Sequence, residues 1–194
     1  MDKNFPWSYK YDPRSKDPFI MSRSKIDLYL KCKRCAYLDM RLQIKGPKPF
    51  PYNLNSRIDT LLKNEHDIAR NKKIKTKYLE EANINAIPFS HPELDVWREP
   101  FKAARYHHKE TNIVVAGSVD DLWENLDTKK ISIVDYKSTH TDKFDKLKSF
   151  DAPYLIGYKR QAEIYSWILS KLGLAIDNTS YFFYVNAKLD QEIF

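Results

Sequence analysis

At 194 residues with 42% hydrophobic content, the chain can bury one sizeable core, and its formal net charge of +7 favours an anionic partner such as nucleic acid without deciding the matter. No apolar stretch is long enough to span a bilayer, and the opening MDKNFPWSYKYDPRSKDPF lacks the apolar core of a secretory signal. With only two cysteines, a cytoplasmic, reducing setting without membrane attachment is therefore expected.

Residues 1–21 are rich in aromatics and prolines and show no period, so they are expected to form an extended arm over a single domain spanning 22–194. A helix is expected from Ser24 to about Met40, where Ser24 and Asp27 make a capping-box-like start and Ile26, Tyr29, Leu30 and Tyr37 recur at helical spacing. GPKPFP at 46–51 ends it. A second helix is expected from about Leu54 to Lys72, with Ile58, Leu61, Leu62, Ile68 and Ala69 as its apolar stripe. Glu65 falls within that stripe, and a carboxylate facing a core must be paired, protonated or metal-bound. His66 and Asp59 flank it and are the alternatives if the register differs; a plain salt bridge for Glu65 is the bland one.

A short helix is expected after Ser90, opened by Pro92 and Glu93. Three β-runs follow, at about 99–108, 112–124 and 130–138, separated by polar turns in the manner of a meander. A long helix from about Pro153 to Leu172 and an aromatic strand from about Ser180 complete the order. Asp135 and Lys137, two apart on the third run, leave the same face of a strand. Asp120 on the second run would lie alongside Asp135 in a hairpin, whereas alternation sends the adjacent Asp121 to the opposite face. On the long helix, Gln161 lies on the apolar stripe with Tyr158 and Tyr165, and a buried amide needs partners for its donor and its acceptor.

The ordered set Gly117-x-x-Asp120, Asp135-x-Lys137 and Gln161-x-x-x-Tyr165 resembles the PD-(D/E)XK nuclease superfamily in its RecB-like branch. The resemblance implies an α/β fold with a restriction-endonuclease-like core (helix, three-stranded meander, helix, strand) behind an N-terminal helical extension. It implies a Mg2+- or Mn2+-dependent deoxyribonuclease, in repair, recombination or defence, with Asp120, Asp135, Lys137, Gln161 and Tyr165 at the active site. Asp120, Asp135 and Glu65 (or His66 or Asp59) would hold metal, since all-oxygen ligands suit those ions. Lys137 would orient or help deprotonate the attacking water and stabilise charge at phosphorus, a task for which arginine is unsuited because it does not release its proton.

Lys143, Lys146 and Lys148, before the long helix, with Lys159 and Arg160 on it, are the candidate contacts to DNA, single- or double-stranded; Lys72, Lys73, Lys75 and Lys77 form a further basic run. No segment resembles a base-reading helix, so sequence specificity would be weak or supplied by a protein partner such as a helicase. Some RecB-like nucleases hold an iron–sulfur cluster, but with Cys32 and Cys35 alone no complete intrachain cluster is expected. A zinc site would need His91, His107 or His108 nearby. The alternative function is that of a catalytically inactive, nucleic-acid-binding relative of the same fold.

Overall fold

The protein is described from a computed structural model, which covers residues 8–47, 53–139 and 155–186. In chain order the elements are β1 (Phe19–Ser22), α1 (Arg23–Lys31), α2 (Lys33–Met40), α3 (Asn53–Lys72), α4 (Lys77–Glu81), β2 (Ala86–Pro88), α5 (Leu94–Arg98), β3 (Ala104–His108), β4 (Ile113–Gly117), β5 (Asp121–Asn125), β6 (Ile131–Thr139), α6 (Ile156–Lys171) and β7 (Tyr181–Asn186). No helix among the described residues is long and apolar enough to cross a membrane.

The mixed α/β character is as expected, but the meander is replaced by two sheets. β1, β4 and β3 form one sheet, with β1 parallel to β4. β2, β5, β6 and β7 form the other, with β5 antiparallel and β7 parallel to β6. The run expected at 112–124 is thus two strands in different sheets, interrupted at Ser118–Asp120. The parallel β6–α6–β7 connection is a crossover, which lets α6 cover one face of the second sheet.

Each face of that sheet carries its own core. Leu122, Ile131 and Ile133 pack with Tyr165, Ile168 and Leu169 of α6, whereas Trp123, Val134 and Tyr136 pack with Leu62 of α3 and Leu79 of α4. The period-two alternation of β6 therefore divides it cleanly: Ile131, Ile133, Asp135 and Lys137 share one face, Ser132, Val134 and Tyr136 the other.

Three expectations need correction. The arm ends in a strand, β1, because Phe19–Ser22 pair with β4 and bury Phe19 and Ile20. The first helix is two, broken at Cys32, and its expected apolar stripe is exposed at Tyr29, Leu30 and Tyr37 while Ala36 and Met40 are buried. Its N-cap is Ser22 without a side-chain cap bond, because Asp27 is taken by Arg23 and Arg160. On α3 the buried stripe is Leu62, His66, Ala69 and Arg70, with Leu61 and Ile68 in solvent. The helix is therefore turned toward its histidine by about one residue from the apolar-only reading, because ring stacking and buried ion pairs bury polar residues that hydropathy places outside.

Candidate functional site

The antiparallel pairing of Asp121 with Val134 puts Asp120, one residue earlier, across from Asp135. Tyr136 N–H donates to Asp120 Oδ2 at 2.9 Å, which fixes the carboxylate against β6. Asp135 is 3% exposed; its Oδ1 accepts from Gln161 Nε2 at 2.6 Å, and its Oδ2 has no hydrogen bond but lies against the Lys137 ammonium in an ion pair. The Lys137 Nζ also stands 4.8 Å from the centre of the Tyr158 ring. A cavity of about 220 Å³ opens beside these groups, lined by Ile58, Asp59, Tyr136, Lys137, Ser138 and Tyr158.

Gly117 connects two of the sequence signatures sterically. A Cβ at that position would overlap the Tyr165 ring, so the residue that ends β4 must be glycine for α6 to approach. Tyr165 is buried against this gap, and burial, then the charge of Asp135, push its phenol above the usual range.

Of the three candidates on α3, Asp59 is the one placed at the site. Lys63 Nζ lies 2.8 Å from Asp59 Oδ2 and 3.6 Å from Asp120 Oδ1, joining both carboxylates. Glu65 turns instead toward α4, where its Oε2 accepts from the Tyr78 hydroxyl at 3.1 Å. His66 is fully buried among Tyr78, Trp123, Tyr136 and Phe183. Its Nδ1 lies 2.9 Å from the Leu62 carbonyl, so Nδ1 carries the proton, and burial holds its pKa below the ordinary value.

Burial, and then the charge of Asp135, push the Asp120 carboxyl up to about 6, against the pull of Lys63, the Tyr136 N–H and Lys137. Burial likewise raises Asp59, with Asp120 adding to it and the Lys63 hydrogen bond opposing. Both acids are thus held above their ordinary range chiefly by burial, with Lys63 between them as the opposing charge.

Asp121 points to the other face, as alternation requires, and is fully buried. It pairs with Arg70 and with Arg98 Nη2 at 3.0 Å, and accepts from the Tyr136 hydroxyl at 2.7 Å. Arg98 also donates from Nε to the Asp120 carbonyl at 3.1 Å and from Nη1 to both oxygens of Asp67, so it grips the chain at the residue before β5. Sequence reasoning missed Lys63 and Arg98. The i,i+4 spacing of Lys63 from Asp59 was a usable signal; for Arg98, on a five-residue helix distant in sequence from Asp121, there was none.

Among the proposed nucleic-acid contacts, Lys143, Lys146 and Lys148 lie outside the described residues. Arg160 is engaged with Asp27 of α1. Lys159 lines a groove of about 530 Å³ between α6 and the chain leading into β7, away from the acids. Cys32 and Cys35 form a disulfide where α1 meets α2, with Cys32 as the N-cap of α2. His91, His107 and His108 find partners elsewhere, in Trp97, Asn112 and Thr111.

Among the described residues no three histidine, cysteine, aspartate or glutamate side chains stand together as a group able to hold a metal ion. Asp120 and Asp135 nevertheless fit an ion of the magnesium type, which is bound through one or two carboxylates and completes its shell with water and phosphate. The buried Asp135 Oδ2, without a hydrogen bond, is the atom such an ion would take. The chain matches no family model, no curated protein and no solved structure.

Proposed function

We propose that the protein is a metal-dependent nuclease that hydrolyses phosphodiester bonds in DNA, acting from the cavity beside Asp135. The observation that carries this reading is the convergence of Asp120 and Asp135 from neighbouring strand segments, with Lys137 on the same face and Gln161 holding Asp135 from α6. The ordered motifs resemble the PD-(D/E)XK superfamily, and the β5–β6 pairing with α6 and parallel β7 is consistent with its core.

Asp120 and Asp135 would hold a divalent magnesium or manganese ion, which when bound would supply charge neutralisation of the scissile phosphate and a lowered pKa for water. The chain's own residues do the rest. Lys137 lies beside Asp135 at the cavity wall, where its ammonium orients the attacking water and faces the negative charge that develops on the phosphorus oxygens. Gln161 donates to Asp135 Oδ1, which fixes the carboxylate rotamer without neutralising it, and Oδ2, now paired with Lys137, is the oxygen that would turn to the ion. The Tyr158 ring gives Lys137 a second resting place when Asp135 is otherwise engaged.

The test is cleavage of end-labelled single- and double-stranded DNA with manganese, with magnesium and with EDTA, beside Lys137→Ala. Cutting that needs metal and falls by about a hundredfold or more in the variant is expected, as for loss of a group acting in the transition state. Equal cutting by the variant rejects the site. A second reading, a catalytically inactive nucleic-acid binder, is favoured by the absence of a three-ligand group among the described residues. It would show DNA binding unaffected by EDTA, with no turnover.

A further inference from the structure

We propose that the Lys63 ammonium is a built-in cation filling the Asp59–Asp120 side of the candidate site, so that the site accepts one divalent ion rather than two. The inference rests on the nuclease reading for its consequence, although its central claim, that Lys63 keeps an ion out, can be tested without any cleavage.

Asp59 from α3 and Asp120 from the segment before β5 converge on one place, and Lys63 Nζ is in it, 2.8 Å from one and 3.6 Å from the other. Both carboxylates and the lysine are largely screened from water, with side chains 32%, 23% and 20% exposed. Lys63 sits one helical turn beyond Asp59, so the short arc between them is set by α3 itself. An ion bridging Asp59 and Asp120 would have to displace an ammonium into a half-buried wall, against direct charge repulsion.

The Asp135 side is different. Its Oδ2 is buried and paired with a single cation, Lys137, whose ammonium also lies 4.8 Å from the centre of the Tyr158 ring. Lys137 can give way to an ion and keep a favourable contact, while Lys63 is held by two carboxylates. The two lysines are therefore not equivalent. In a two-metal nuclease both ions stabilise the attacking and leaving oxygens; here a fixed ammonium already engages the two carboxylates that a second ion would need. Asp59 thereby becomes a positioning residue for Lys63 and not a metal ligand.

The experiment counts bound Mn2+ by titration calorimetry and by the free-ion electron paramagnetic resonance signal, on wild type, Lys63→Met, Lys63→Arg and Asp59→Asn, each first shown to melt cooperatively. One ion in wild type and Lys63→Arg, and two in Lys63→Met, is the expected result. Asp59→Asn should keep the wild-type ion within about threefold in affinity, whereas Asp120→Asn should lose more than about tenfold, the scale of removing a group that holds the ion. Equal counts in wild type and Lys63→Met overturn the proposal, as does a large loss of Mn2+ affinity in Asp59→Asn. If wild type binds none and Lys63→Met binds one, Lys63 does exclude an ion and the metal-nuclease reading fails. If neither binds, both fail. Should Lys63→Met not fold, Lys63→Gln and the Asp59→Asn arm decide the question.

Discussion

Replacing Asp120 with asparagine should make the metal-free protein more stable while removing its capacity for the ion. In the folded protein burial and Asp135 lift the Asp120 pKa from 3.8 to about 6. Ionising it there is harder than in the unfolded chain by about 3 kcal/mol, at about 1.4 kcal/mol for each tenfold. Below the unfolded value the carboxyl is protonated in both states and contributes nothing. Between 3.8 and about 6 the folded state binds more protons than the unfolded one, so stability falls as pH rises; above about 6 the full penalty is present. Asparagine carries no such penalty and can still accept from the Tyr136 N–H, but it gives up the Lys63 contact. A net gain of about 1–2 kcal/mol near neutral pH remains, or roughly 2–8 °C in Tm for a chain of this size. The assay is thermal and urea unfolding in EDTA across the range from about pH 4 to pH 8, followed by the same melts in manganese. The gain should shrink toward the acid end, and manganese should stabilise wild type but not the variant. An asparagine variant no more stable than wild type near neutral pH, or a gain of equal size at both ends, would refute the electrostatic account of the site.

Gly117→Ala drives a methyl into the Tyr165 ring and should cost about 1–3 kcal/mol, read from the shift of the urea midpoint at unchanged slope; a silent substitution would mean that α6 does not approach β4 as described. Asp121→Asn leaves Arg70 and Arg98 with the more exposed Asp67 as their remaining counter-ion and should cost about 3 kcal/mol, so a loss under about 1 kcal/mol would show the network to be slack. His66 is kept neutral in the folded state and protonates in the unfolded chain, so it should draw stability down as pH falls below 6.5. His66→Phe should flatten that acid limb; an unchanged slope would place the acid sensitivity elsewhere. The Asp120 and His66 effects have opposite sign just below pH 6, which is why the difference between wild type and Asp120→Asn, and not either curve alone, isolates the aspartate.

The strand residues of the site were legible because local rules govern them. Period-two alternation alone places Asp135 with Lys137 and separates Asp120 from Asp121, and the structure keeps both relations. Gln161 was found through its position on an apolar helix stripe, where an amide must meet a partner, and the partner is Asp135. The helix α3 was less readable. Hydropathy made Leu61 and Ile68 core and Glu65 the intruding acid, but the helix docks on His66 and Arg70, whose burial depends on Trp123, Tyr136 and Asp121 far along the chain. That rotation is what moves Asp59 to the cavity, with Lys63 paired to it, and Glu65 to Tyr78. The division of one apolar run into β4 and β5 was hidden for a similar reason. IVVAGSVDDLW alternates well enough for a single strand, and only the sheet it joins at each end shows the break.

The two adjacent aspartates give the site its logic. Asp121 is the more buried, yet it is matched by two guanidiniums, a tyrosine hydroxyl and the backbone N–H of Leu122, so its charge is fully compensated. Asp120 is held in place nearly as firmly, through Tyr136 N–H on its side chain and Arg98 on its carbonyl, but it is left short of positive charge. A chain that can build the first arrangement has the means to build the second. Arg98 spends its Nη groups on Asp67 and Asp121 and offers Asp120 only a backbone contact, so the acid pair on the other face has no guanidinium and relies on two lysines, Lys137 on Asp135 and Lys63 at 3.6 Å from Asp120. A stability-driven sequence would close that gap with an arginine or remove the acid. An acid left in that state, framed from both sides of the sheet, supports the proposal that a cation binds there and makes metal binding the first property to measure.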